Sequence, residues 1–397
     1  MTYKVLSLKW RPQSFKEIVG QDHVSRTLVN SIIYERVGQG YIFTGPRGVG
    51  KTTTARILAM ALNSGKKPSE SFDPNSTAAL EIAGGRSLDV IEIDGASNRG
   101  IEEIRSLREQ IKFSPMESKF KIIIIDEVHM LTNQAFNALL RTLEEPPAHA
   151  KFIFATTDIH KVPATIISRC QRFDFNRISI NDISKHLSFI AKEENFNISH
   201  ESLYLISKKA DGSMRDALSL LDQVISFCGD NFSEKNITEA LGIISNDLFF
   251  SFTDSIVSKD YESMIKTLGL FSKTGVPTSE IIVGIKNHLK NLVYAGVSNG
   301  KLISDLNIED KKRYVEESQR WDRLDLFLIN QVLVDASMGI KNSDSPFLLF
   351  EMTVLKLLEM ENSIDLQELI LKIESENDHF KSSHSERADN FKKPKRY

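Results

Sequence analysis

The chain reads as a wound α/β domain with a parallel sheet, followed by helices alone. Three observations lead there. Short strand patterns alternate with helical ones from about Gln39 to Phe175, one of those strands is the unbroken run Ile122, Ile123, Ile124 and Ile125, and strand signals stop after about Arg177. Alternating strands and helices build crossover units that cover a sheet with helices. A strand that is apolar at every position, not every second one, is covered on both faces.

The elements follow in order. Strand patterns fall at residues 41–44, 89–93, 122–125, 152–155 and 172–175. A helix is expected over 53–62 and another over 101–111. Phe136, Leu139, Leu140 and Leu143 recur at i, i+3, i+4 and i+7, with Thr132 or Asn133 as N-cap and Pro146-Pro147 as the stop. Beyond residue 177, helical stretches are broken near Asn195, Gly212, Gly229, Gly275 and Gly300. Residues 178–240 form one helical module and 241–360 a second, while 374–397 carry too little apolar surface to offset the entropy of ordering. That tail and its basic end, Lys392 to Arg396, are expected to be disordered and solvated.

Composition excludes several classes. A chain of 397 residues needs two or three cores, and its 41% apolar and 26% charged residues are those of a globular protein. Lys+Arg 50 against Asp+Glu 53 gives 50 − 53 = −3, so nucleic acid contact has to come from a local patch. Two cysteines, Cys170 and Cys228, make neither a disulfide framework nor a four-ligand zinc site, and suit a reducing, cytoplasmic setting. No stretch has the roughly 20 apolar residues of a membrane span, and the first dozen residues lack a signal peptide's apolar core.

The chemistry begins after the first strand. Gly45-Pro46-Arg47-Gly48-Val49-Gly50-Lys51-Thr52 is G-x-x-x-x-G-K-[ST] between a strand and a helix that continues at Thr53. Glycines let backbone N–H groups wrap a phosphate at the positive end of the helix. Lys51 then reaches the β- and γ-phosphates and Thr52 ligates Mg²⁺, which makes ATP with Mg²⁺ the expected cofactor pair. Asp126 and Glu127 at the end of the isoleucine strand supply the second half: Asp126 for the Mg²⁺ shell, Glu127 to polarise water. His129 reads as a neighbour of the site. Thr157, after the apolar run 152–155, can lie between the two phosphate-site strands and feel the γ-phosphate. Arg169, in Ser168-Arg169-Cys170, is either a surface charge or an arginine finger for a neighbouring subunit. Arg215 lies in the first turn of a helix capped by Ser213, where the helix dipole disfavours a cation. It serves either an external phosphate or a local pair with Asp216.

The set, in this order, resembles an AAA+ clamp loader. Residues 8–15 (LKWRPQSF) and 18–21 (IVGQ), Asp126 to Leu131 and Leu143 to Pro147 resemble the gamma/tau family of bacterial DNA polymerase III, strongly over residues 3–230 and more loosely to about 360. The resemblance implies an AAA+ core over 1–177, an all-α lid over 178–240, an oligomerising all-α collar over 241–362 and a polar tail over 363–397. It implies Arg11, Val19 and Gly20 near the adenine. It also implies a hetero-oligomeric ring with delta- and delta-prime-type subunits, a sliding clamp and primed DNA, and no membrane partner. ATP hydrolysis would open the clamp and load it; a non-hydrolysing stator of the same ring is the alternative, and a DExH-type helicase a third reading that lacks its second nucleotide-closing domain. Two departures stand out. The family's four-cysteine zinc module is absent from residues 63–85, so zinc is not expected, and no tau-type extension follows the collar, so polymerase and helicase tethering cannot be carried over from the family. Ser97-Asn98-Arg99-Gly100, with Arg105 and Arg108 on the next helix, either faces DNA or is a solvated surface balanced by Glu102, Glu103 and Glu109.

Overall fold

The computed structural model describes residues 4–65, 67–229, 231–303, 306 and 308–360, so the expected tail lies outside the described residues. Contacts divide the chain into two compact units that meet in sequence at Leu241 and Gly242.

The first unit opens with α1 (Leu6–Lys9) and α2 (Asp22–Ile33), then β1 (Gly40–Thr44), α3 (Lys51–Leu62), α4 (Thr77–Ala83), β2 (Val90–Asp94) and α5 (Ile101–Ile111). It continues with β3 (Lys121–Asp126), α6 (Asn133–Glu144), β4 (Ala150–Thr156), α7 (Ala164–Ile167) and β5 (Gln171–Asp174). The five strands form one sheet of order β2-β3-β4-β1-β5, every pair parallel. The alternation of side chains on these strands explains the sandwich. Tyr41, Phe43, Ile122, Ile124 and Ile153 join a core with α2, α3 and α4, while Ile42, Ile123, Ile125, Phe152 and Phe154 join one with α5, α6 and α7. All ten side chains are fully buried, at about 1.5–3 kcal/mol each.

Parallel strands place all their C-terminal ends on one edge, and the phosphate loop and Asp126-Glu127 emerge there. Helix starts follow local capping rules: Thr132 accepts from the Ala135 N–H, and Ser213 from the Asp216 N–H. The unit ends in α8 (Ile180–Glu193), α9 (His200–Lys209), α10 (Met214–Cys228) and α11 (Glu234–Ala240).

The second unit, among the described residues, is helical: α12 (Asn246–Val257), α13 (Tyr261–Lys273), α14 (Thr278–Ser298), α15 (Ile308–Ser318), α16 (Arg323–Ile340) and α17 (Pro346–Glu359). Its core is rich in phenylalanine, with Phe249, Phe250, Phe252, Phe271 and Phe350 buried. His288 is buried among them, hydrogen-bonded through Nδ1 to the Tyr314 hydroxyl at 2.7 Å and through Nε2 to Thr253 Oγ1 at 3.3 Å. No described helix is long and apolar enough to cross a membrane.

Candidate nucleotide site

Strand order assembles the site. β4 lies between β3 and β1, so the ends of three adjacent strands carry the acids, the Thr156-Thr157 hydroxyls and the glycine loop. Across that edge Thr52 Oγ1 donates to Asp126 Oδ2 at 2.7 Å. Burial raises the Asp126 pKa, opposed by the Thr52 hydrogen bond and the Glu127 N–H. Glu127 adopts a left-handed backbone with φ +45°, a conformation that costs a non-glycine residue about 1–2 kcal/mol. Its Oε2 accepts from the Thr157 hydroxyl at 3.0 Å and the Thr157 N–H at 3.3 Å. His129 Nδ1 lies 3.3 Å from the same oxygen and 3.0 Å from Thr156 Oγ1, which makes it the neighbour of this pair.

The loop itself is tightly built. Lys51 is buried, and its Nζ donates to the Gly45 and Pro46 carbonyls at 2.7 and 2.6 Å. Burial lowers its pKa, while Glu127 and Asp126 act in the opposite direction. Val49 is buried beneath the loop and Arg47 is exposed above it. Two glycines have no room for a side chain. A Cβ on Gly45 would stand 2.3 Å from the Phe175 carbonyl oxygen, and one on Gly48 2.0 Å from Ser213 Oγ. The second contact brings the start of α10 onto the loop, where the Arg215 N–H donates to the Gly48 carbonyl at 3.3 Å. Among the described residues Arg215 forms no ion pair with Asp216.

Beside α3, Arg11 Nε donates to Thr53 Oγ1 at 3.1 Å. Burial lowers the Arg11 pKa and repulsion from Arg56 and Arg215 adds to it. Arg56 is held by a two-pronged bond to Glu92 on β2, at 2.6 and 2.7 Å. Three guanidinium groups thus act on one region that also feels the Glu92 and Asp126 carboxylates, an arrangement suited to a polyanion such as a nucleotide. Mg²⁺ also fits the donor set, with a hydroxyl and a carboxylate already 2.7 Å apart at Thr52 and Asp126.

Gly20, with φ +72°, packs on Ile178, whose N–H donates to Gly212 in the lid; half-buried Val19 precedes it at this core–lid junction. Arg169 is exposed, pairs with Glu144 at 2.8 Å, and its carbonyl approaches the Cα side of Gly40, at the N-terminal end of β1. The phosphate loop leaves the other end, roughly 17 Å away at 3.3 Å per strand residue. Arg99 bonds back to the Ala96 carbonyl, and Arg105 and Arg108 pair with Glu102 and Glu109. Residues 63–85 contain α4, and Asn63 clasps both backbone groups of Phe120. No described cluster of His, Cys, Asp and Glu has the form of a metal site.

Sequence reasoning missed the Arg56–Glu92 pair and Gln21, whose fully buried side chain bonds to both backbone groups of Asn176. Neither pair has a sequence spacing that would announce it.

Family models match the chain in three consecutive stretches: DNA polymerase III, delta subunit, over residues 20–179; DNA polymerase III clamp loader subunit, ATPase lid domain, over 182–230; and DNA polymerase III subunits gamma and tau domain III, over 232–373. The tau subunit of Bacillus subtilis is 37% identical over 93% of this chain and 66% of its own length, so the chain spans about two thirds of that relative. The gamma subunit of Buchnera aphidicola from Acyrthosiphon pisum is 37% identical over 90% of this chain and 99% of its own. The solved RuvB branch-migration motor of Thermotoga maritima aligns with 62% of this chain and 79% of its own at 16% identity and TM-score 0.46, too slight a likeness to bear on function. With the sheet, the lid and near-complete coverage of a gamma subunit, the chain belongs to the gamma/tau family of DNA polymerase III clamp-loader subunits, the AAA+ ATPases of DNA replication.

Proposed function

We propose that the chain binds and hydrolyses ATP as one subunit of a hetero-oligomeric ring, with delta- and delta-prime-type partners, that opens a sliding clamp and loads it on primed DNA in the cytoplasm. The observation that carries this reading is the pairing across the sheet edge: Thr52 with Asp126, and Glu127 with Thr157, beside buried Lys51. Residues 45–53 wrap the phosphates, all but Pro46 offering backbone N–H groups, and Arg11, Val19 and Gly20 flank the adenine side. Bound Mg²⁺, held by Thr52 and Asp126, would neutralise charge on the β- and γ-phosphates.

On ATP binding Lys51 leaves its loop carbonyls for the phosphate oxygens. Glu127 accepts a hydrogen bond from the attacking water as the bond from the γ-phosphorus to the bridging oxygen breaks, giving ADP and phosphate. Thr157 orients Glu127, and Arg215 brings lid charge to the same phosphates. Arg169, about 17 Å from its own loop, serves the ATP of the adjacent subunit; an arginine side chain spans less than half of that distance. Zinc has no part, and Arg99 is the proposed DNA contact. Intact Lys51, Thr52 and Glu127 favour a motor over a stator.

The test compares Lys51→Ala with Glu127→Gln in equilibrium binding of a fluorescent ATP analogue and in phosphate release with clamp and primed DNA. Lys51→Ala should lose tight binding, because Lys51 meets ground-state charge. Glu127→Gln should bind and fail to turn over, because Glu127 acts in the chemical step. Normal binding and turnover in the Lys51 variant rejects the site assignment; full activity of the parent without clamp or DNA stimulation rejects the clamp-loading reading.

A further inference from the structure

The lid and the loop helix are also joined by a third piece of chain, residues 6–12. Buried Leu6 donates its N–H to Asp222 Oδ2 on α10 at 2.8 Å. Trp10 donates its indole N–H to Glu194 Oε1 at the end of α8, and Lys9 Nζ donates to Oε2, both at 2.7 Å. The Trp10 ring meets Phe189 of α8 edge-on, with centroids 5.6 Å apart. The next residue, Arg11, bonds to Thr53 on α3. Consecutive residues thus hold the lid and the nucleotide helix.

The local covalent geometry makes this joint stiff. Arg11 precedes Pro12, which restricts Arg11 to extended backbone, so a displaced Trp10 carries Arg11 with it. Burial disfavours the Arg11 charge most; Arg56 and Arg215 repel it, while Glu92 and Asp126 attract it. Holding a half-buried cation on the neutral Thr53 hydroxyl is costly, and the bonds of Lys9 and Trp10 to Glu194 offset part of that cost.

We propose that residues 6–12 are a strap coupling lid position to ATP binding, with Glu194 and Trp10 as positioning residues that hold Arg11 at the nucleotide helix. The proposal rests on the ATP reading given above. Coupling is reciprocal: a lid that steadies Arg11 tightens ATP, and bound ATP tightens the strap on the lid.

Trp10 supplies its own probe. The chain has two tryptophans, and Trp321→Phe leaves Trp10 as the reporter in the full-length protein. Acrylamide quenching of Trp10 is followed while a non-hydrolysable ATP analogue is titrated, with affinity measured independently by calorimetry. Bound analogue should reduce quenching about twofold. Glu194→Ala should abolish that response and raise the ATP Kd about tenfold, the scale of ordering one or two side chains at binding, with kcat at saturating ATP unchanged. Glu194→Gln keeps an acceptor for the Trp10 N–H and should recover most of the affinity. Trp10→Phe, which keeps a smaller aromatic ring near Phe189 and removes the indole N–H, should raise Kd as Glu194→Ala does, so the result does not hang on one variant's folding. Unchanged Kd in Glu194→Ala and Trp10→Phe, or quenching indifferent to analogue that calorimetry shows bound, overturns the strap alone. No analogue binding to the parent protein overturns the ATP reading and the strap together.

Discussion

Replacing Gly48 by alanine tests how the lid meets the loop. At φ +75° a residue with a Cβ costs about 1–2 kcal/mol more than glycine. The added Cβ would also lie 2.0 Å from Ser213 Oγ and 3.3 Å from Arg215 Cβ, so one side must yield. If Ser213 rotates away, α10 loses its N-cap bond to Asp216, worth about 0.5–2 kcal/mol. The total is roughly 2–4 kcal/mol, and a unit of this size shifts in Tm by about 2–4 °C per kcal/mol, giving a drop of roughly 5–15 °C. Calorimetric melting of the full chain reads it, the first unit being the transition that ATP raises. Gly50→Ala is the control. Gly50 has φ +103° but nothing within 4 Å of a Cβ, so it should show the strain alone, roughly 1–2 kcal/mol. Equal shifts for the two variants, or no shift for Gly48→Ala, would refute the claim that Ser213 and Arg215 rest on the loop. ATP turnover in Gly48→Ala should fall further than its ATP affinity, since Arg215 lies in the first turn of the displaced helix.

Three more expectations follow from particular residues. Arg169→Ala should keep ATP binding and lose on the order of 10³ in hydrolysis rate; mixed with Lys51→Ala chains in co-assembled rings it should regain part of the activity, and no recovery despite proven co-assembly points to a structural role. Elemental analysis should find no stoichiometric zinc, because residues 63–85 hold no cysteine, and one tightly bound zinc per chain overturns this. His288 titrates at about 3 in the fold, lowered by burial and then by Arg313, against about 6.5 when unfolded. The folded form therefore keeps it neutral, stability is complete above pH 6.5, and it falls toward pH 3 as the unfolded chain takes up a proton. That amounts to about 2 kcal/mol by pH 5. His288→Leu should be less stable at pH 7.5, where Tyr314 and Thr253 lose a partner, yet show a flatter fall to pH 5 in denaturant melts; an unchanged slope rejects the assignment.

Much of the first unit was legible along the chain, because the signals are local. A glycine loop between strand and helix, four consecutive isoleucines, and hydroxyl caps at Thr132 and Ser213 each act within a few residues. The strand positions expected from them fall within one or two residues of those observed, and Lys51, Thr52, Asp126, Glu127 and Thr157 were all marked by such signals. The places of Arg11, Val19 and Gly20 had no such signal and rested on resemblance.

Tertiary structure alone decided which ends meet. The order β2-β3-β4-β1-β5 follows from packing helices onto both sheet faces, and no residue spacing encodes it. That order sets Thr52 on Asp126 across 74 positions and Thr157 on Glu127 across 30. It also sends Arg169 to the edge opposite its own loop, where it pairs with Glu144. The contacts of Ser213 with Gly48, Gln21 with Asn176, Glu92 with Arg56 and Glu194 with Trp10 are of the same kind. Each joins residues far apart in sequence through one or two hydrogen bonds or a close approach. Such contacts form only after the hydrophobic faces have fixed the layers, so the sequence supplies the groups and the packing of those layers selects their partners.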